Sequence, residues 1–401
     1  MIAPARYLNP RTGAAWPTDQ PLWRAPDDGG YVNLTAAGGF DPAAIDRGQA
    51  TLWRYGAMLR LEAAAPISLG EGWTPLLDGA WNGRPVAFKC DHMMPSGSFK
   101  DRGVAVMMAY LRGRGVTAVL EDSSGNAGSS VATYAAASGM TATIFAPAAA
   151  PPAKLAQMQA LGADVRAIPG PRQNAADAAL AEAANGVFYA GHNIQPFFLE
   201  GCKTLAFELW EQLGGNAPDH VVVACGQGGN VMGLDIGFRE LLAAGLVERV
   251  PAIHGVQARR AAPYLAAWEA GSAAPVPIDA QPSIADGITS AKPVRLTEVM
   301  AACRESGGGL LGVTEPEIIA AMRALHRSGY FVEPTTAAGA AGLTQLLASG
   351  RIGAAESVVL VLTGTGLKAV DAIRNAGALP DQTKKPALAC REDGLIQLPI
   401  Q

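Results

Sequence analysis

Cysteine is scarce, five residues in 401, and the five (Cys90, Cys202, Cys225, Cys303, Cys390) are scattered without a C-x-x-C pair. That excludes a disulfide framework, and with no histidine at ligand spacing it argues against a zinc site as well. Charge is thin too: 16% of residues, a net formal charge of -4 and no Lys/Arg-rich run, so no basic stripe for nucleic acid is expected. There is no run of about 18 apolar residues to span a membrane. The opening MIAPARYLNP lacks the basic-then-apolar order of a secretion leader, so a cytoplasmic protein is expected. No fixed-period repeat appears, although residues 148–185 are rich in alanine. What is present is apolar: 49% of 401 residues, enough for two lobes and a large core.

The first 66 residues carry Trp16, Trp23 and Trp53, several prolines and few periodic apolar runs. They read as an irregular strap with one helix near Pro42 to Arg60. From about residue 85 short apolar runs alternate with helical ones: VAFK, then SFKDRGVAVMMAYLRGRG, TAVLE, AGSSVATYAAASG, TATIFAP, AKLAQMQALG, ADVRAIP, DAALAEAANG and VFYAG. After an EGCKTLAFELWEQLG helix, HVVVAC, AIHGVQA and SVVLVLTG read as strands of a second set. Strands separated by helices predict an α/β fold of two open, mostly parallel lobes. In such sheets ligands bind beyond the carboxyl ends of strands.

Three of those exits are unusually polar or glycine-rich. SSGNAGSS (123–130) offers free N–H groups at a helix start and the two-sided amide of Asn126, or simply a helix cap. CGQGGNVMG (225–233) is either a structural turn or a nest of N–H groups suited to phosphate. It is no dinucleotide fingerprint, because Val231 stands where the third glycine belongs. LTGTGLK (362–368) presents the hydroxyls of Thr363 and Thr365, which a simple turn would also tolerate. Lys100 in PSGSFKDRG (95–103) reads alone as a solvated lysine paired with Asp101. With the three loops it reads differently: phosphate, ring-oxygen and ring-nitrogen sites plus an amine are what pyridoxal phosphate needs.

These stretches resemble, in order, the motifs of the threonine synthase family of fold type II pyridoxal-phosphate enzymes. LGEGWTPL (69–76), LEGCKTLAFEL (199–209), VEPTTAAGAAGL (332–343) and TLWRYGAML (51–59) extend the resemblance over most of the chain. It implies a strap at 1–66, a large cofactor-binding domain at 67–90 and 191–401, and a small mobile domain at 91–190. It makes Lys100 the Schiff-base lysine and proton shuttle, and gives the cofactor's phenolic oxygen to Asn126 and its pyridine nitrogen to Thr363. Gly226, Gln227, Gly228, Gly229 and Asn230 would hold the phosphate. Ser123, Ser124, Gly125 and Ala127 would receive the substrate carboxylate, and Asp286, in the dehydratase-like SIADGI, would meet the substrate. The implied activity is elimination or replacement at the β or γ carbon of an amino acid by a homodimer. True threonine synthase, a serine/threonine ammonia-lyase and a non-catalytic homologue that binds the cofactor or an amino acid are the alternatives. Departures concern the substrate. Ser138 stands where the family's Y-A-A-R-A-G run has an arginine for substrate phosphate, HNIQPFF replaces N-S-x-N-P-x-R with His192 and Phe198 intruding, and Arg259 and Arg260 replace small residues.

Overall fold

A computed structural model describes residues 5–35, 39–61, 65–150, 152–170, 172–290 and 292–377; Cys390 and the polar stretch after residue 380 lie outside them. The strap is more ordered than its sequence suggests. It forms a small antiparallel sheet with β1 (Arg6–Leu8) between β2 (Ala15–Pro17) and β3 (Asn33–Leu34). The single helix expected near Pro42 to Arg60 is replaced by two 3-10 turns, Pro42–Ala44 and Leu52–Met58. Between them the Asp46 carboxylate accepts from the Gly48 N–H and the Gln49 amide, and such local side-chain bonds compete with a helical ladder.

An antiparallel pair, β4 (Leu76–Trp81) and β5 (Arg84–Lys89), leads into α1 (Lys100–Gly113). The alternation then runs β6 (Ala118–Glu121), α2 (Asn126–Ser138), β7 (Thr141–Pro147), α3 (Pro152–Ala160), β8 (Asp164–Ile168), α4 (Arg172–Ala183) and β9 (Phe188–Tyr189). The expected EGCKTLAFELWEQLG helix is two elements, α5 (Pro196–Cys202) and α6 (Thr204–Gln212), divided where the Thr204 hydroxyl bonds back to the Gly201 carbonyl at 2.7 Å. The chain continues through β10 (His220–Ala224), α7 (Gly229–Ala243), β11 (Ala252–Ala258), α8 (Pro263–Glu269) and α9 (Leu296–Glu305). It closes with β12 (Gly309–Val313), α10 (Glu315–Arg327), α11 (Pro334–Ala348), β13 (Val358–Val361) and α12 (Val370–Asn375).

The strands build two larger sheets, one ordered β8-β7-β6-β9 and wholly parallel, the other β12-β11-β10-β13-β5-β4 and parallel except for β4. Strands β10 and β12 are buried along their whole length, as helix-covered parallel strands should be. Helix α1 is buried on every face from Asp101 to Leu111, packed against α5 and α2. Its first residue, Lys100, is thereby carried to where the carboxyl ends of β6, β10 and β13 converge.

Some of the charges are buried together as a block. Arg102 donates to Asp91 at 2.7 Å and to Glu208 at 2.6 Å, all three fully buried. Lys89 joins the block, donating to Glu208, Gln212 and the Thr74 carbonyl at 2.7, 2.8 and 2.7 Å. Against the raising effect of burial, Arg102 and then Lys89 hold the Glu208 carboxylate down to about 2.

Candidate active site

Strand exits and the start of α1 enclose a cleft of about 670 Å³. Lys100, Ser123, Ser124, Gly125, Asn126, Gly226, Gln227, Gly228, Gly229, Asn230, Asp286 and Thr363 all line it, so twelve of the thirteen residues given a cofactor or substrate role come together. The exception is Ala127, whose side chain is buried in α2 away from the lining.

Lys100 lies with Nζ 4.8 Å from the Phe99 ring and 5.3 Å from the Phe198 ring. Among the described residues no carboxylate stands within ion-pair distance of it. Its expected partner Asp101 points away, accepting from the Ser96 N–H at 2.7 Å and the Ser130 hydroxyl at 2.5 Å. Burial therefore pushes the Lys100 amine down to about 8, against the weaker pull of Cys202 and Glu121. Phe198 reaches the amine because α1 carries Gly103 at the contact: a Cβ there would stand 2.3 Å from the ring.

The Cys225–Gly228 turn feeds α7. Gly228 adopts φ +84°, a conformation L side chains rarely take, and a Cβ on it would also meet Val299 at 2.3 Å. No side chain caps α7, so the N–H groups of its first turn remain open to an anion. Beside them both amide atoms of the buried Asn230 lack a protein partner among the described residues. The Asn126 Oδ1 and the Glu333 Oε2 are likewise without a partner, while Asn126 Nδ2 donates to Glu333 Oε1 at 2.8 Å. Thr363 lies 3.0 Å from the Thr336 hydroxyl, which also takes the Gly364 N–H. An open helix terminus, orphaned amides on two sides, a positioned hydroxyl and an amine whose proton is held less tightly than usual fit pyridoxal phosphate as a donor set.

Four neighbours went unread or half-read in the sequence. Glu333 lies inside the VEPTT stretch, Arg172 opens α4, and both line the cleft. His192 lines it too, with Nδ1 3.2 Å from the fully buried Glu121 at the end of β6. Only the departure of HNIQPFF from its motif hinted at this pair. At the rim, Asp286 takes Lys154 Nζ at 2.5 Å. The other substrate-related departures lie elsewhere: the Ser138 hydroxyl bonds back to the Ala135 carbonyl of its own helix, and Arg259 and Arg260 are exposed, outside the lining.

Residues 67–364 match the profile of the family described as pyridoxal-phosphate dependent enzyme. The chain is 35% identical over 325 residues to a threonine synthase of Methanosarcina acetivorans, across 79% of this chain and 80% of that one. To a threonine synthase of Methanocaldococcus jannaschii it is 36% identical over 337 residues, across 82% and 83%. Among solved structures it resembles a threonine deaminase of T.th. with a TM-score of 0.63 at 27% identity, covering 73% of this chain and 92% of the other.

Proposed function

This chain belongs to the pyridoxal-phosphate dependent enzyme family, and we propose that within it the chain eliminates an unphosphorylated hydroxyl from the β carbon of a small amino acid. It is a lyase of the threonine-synthase-like type, acting at the β or γ carbon of an amino acid. One observation carries the narrower choice: the cleft wall beside Lys100 is the Phe99 ring, 4.8 Å from Nζ, backed by the buried Phe198 ring at 5.3 Å. An aromatic face offers no charge-assisted bond to a dianion, where each such bond contributes roughly 1.5 to 3 kcal/mol.

Pyridoxal phosphate, when bound, supplies an electron-withdrawing conjugated ring that acidifies the substrate's α carbon. The chain supplies the rest. Backbone N–H groups of Gly226, Gln227, Gly228 and Gly229 and the amide of Asn230 would hold the phosphate. Asn126 would bond the ring oxygen and Thr363, steadied by Thr336, the ring nitrogen. Lys100 would carry the cofactor's aldehyde and, released, its neutral Nζ would take the α proton; a dry site that holds the amine near 8 keeps it able to do so. Ser123, Ser124, Gly125 and the Ala127 N–H, at the uncapped start of α2, would receive the substrate carboxylate. We take residues 91–190 as a small domain closing on 67–90 and 191–401. Asp286 would act there by drawing Lys154 across the mouth, so that water is excluded during reaction. The working form in this account is a cytoplasmic homodimer.

A second reading, threonine synthase acting on O-phosphohomoserine, is favoured by the names of the curated relatives and by Arg172 in the lining. Incubating holoenzyme with serine, threonine, homoserine, O-phosphoserine and O-phosphohomoserine separates them. The first reading expects a 2-oxo acid and ammonia from serine or threonine. Threonine formed from O-phosphohomoserine alone would overturn it.

A further inference from the structure

Strand β6 ends at Glu121, and a second carboxyl group, Asp122, follows it. Asp122 is tied off by the Tyr189 hydroxyl at 3.0 Å. Glu121 is held by His192 at two points: the His192 backbone N–H and ring Nδ1 each lie 3.2 Å from one of its oxygens. His192 lines the cleft and meets Phe198 edge to face at 5.5 Å, the same ring that lies beside Lys100. With Nδ1 turned to Glu121, Nε2 is the nitrogen left for the reacting space. A fully buried carboxyl is costly unless it is partnered. Here the partner is an imidazole on the cleft, not a scaffold group like those around Glu208.

We infer, building on the elimination reading above, that His192 is a catalytic acid whose Nε2–H protonates the departing β-hydroxyl, with Glu121 as its positioning residue. The bond from the β carbon to oxygen breaks and its electron pair leaves with the oxygen. The Nε2 proton joins that oxygen to form water, the proton held between Glu121 and Nδ1 passes to Nδ1, and the α proton goes to Lys100. The pair ends one proton short and regains it from solvent as Lys100 sheds the proton it took. Hydroxide is a poor leaving group, so a proton donor on the cleft eases its departure, and His192 lines the cleft. The surroundings agree with this assignment. Burial pushes Glu121 up to about 7, while burial and then Lys100 hold His192 well below the usual range, with Asp122 and Arg172 the other charged groups facing it. Of the two groups the carboxyl therefore holds a proton the more readily and the ring stays neutral, with Nε2–H as the donor.

The test compares serine with β-chloroalanine in the wild-type holoenzyme and in His192→Asn and Glu121→Gln, each checked for unchanged cofactor absorbance. Chloride leaves without a proton. His192→Asn is expected to lower kcat on serine about 100-fold or more and on β-chloroalanine by less than about 3-fold, with Glu121→Gln intermediate. Equal losses on both substrates would make the pair structural and overturn the inference, leaving elimination standing. Turnover of β-chloroalanine alone by the wild type would also overturn it, whereas turnover of neither would sink the elimination reading itself. Nitrogen-15 NMR of the five histidines, assigned with His192→Asn, gives a readout apart from activity. A proton on Nε2 at working pH is expected; a bare Nε2 there contradicts the assignment.

Discussion

Lys89 is fully buried and Lys100 half-buried on the wall of the cleft, and they stand in opposite chemical situations. Lys89 donates to a carboxylate, an amide and a carbonyl, inside a block that also ties Arg102 to Asp91 and Glu208. Lys100 has aromatic rings on two sides and no hydrogen-bond partner among the described residues. A buried charge with a full set of partners is scaffold, while a buried amine without them yields its proton and becomes a reagent. The block holds the entrance of α1 in place, and α1 presents the reagent.

Four substitutions probe that contrast. Lys100→Ala should lower turnover by about 10³-fold or more with the fold intact by circular dichroism, because a general base is removed. Retained turnover would break the contrast at once. Glu208→Ala strands both Arg102 and Lys89 inside the core and should destabilise the protein by about 3 to 5 kcal/mol in urea unfolding. Lys100→Met should do the reverse in cofactor-free protein. The amine's folded value, about 8, lies below its ordinary 10.5, so the native state disfavours its proton; the cost is full below pH 8 and fades as pH rises toward 10.5. The variant should thus be more stable by about 3 kcal/mol near pH 7, with the gap closing in alkali. Asn230→Ala has the smallest effect: its amide lacks a protein partner, so cofactor-free stability should move by less than about 0.5 kcal/mol while the cofactor Kd rises about 10-fold.

The sequence made legible those parts of the site whose chemistry is local. Short glycine and hydroxyl loops at strand exits announce open N–H groups wherever they fall, and the loops around Asn126, Gly226 and Thr363 converge on Lys100 in one cleft. Pairings across long separations were hidden. Nothing in FKDRG says that Arg102 meets Glu208, or that Asp101 turns to Ser130 and leaves Lys100 alone. Glu121 reads as the last residue of a strand until β9 and the following loop bring His192 against it. Strand β12 is masked in the sequence because GLLGV follows a run of glycines, and glycine weakens a strand signature. The turns between Pro42 and Met58 depend on side-chain bonds from Asp41, Asp46 and Thr51 that outweigh a helical pattern.

The most direct test of the central claim is to treat holoenzyme with borohydride and locate the fixed pyridoxyl group by peptide mass spectrometry. Two other lysines near the cleft compete in principle: Lys368, half-buried and also pushed down to about 8 but bonded to the Ser96 carbonyl at 2.8 Å, and Lys154, paired with Asp286. The account predicts the label on Lys100 alone. A label on Lys368 or Lys154 with Lys100 unmodified would contradict it.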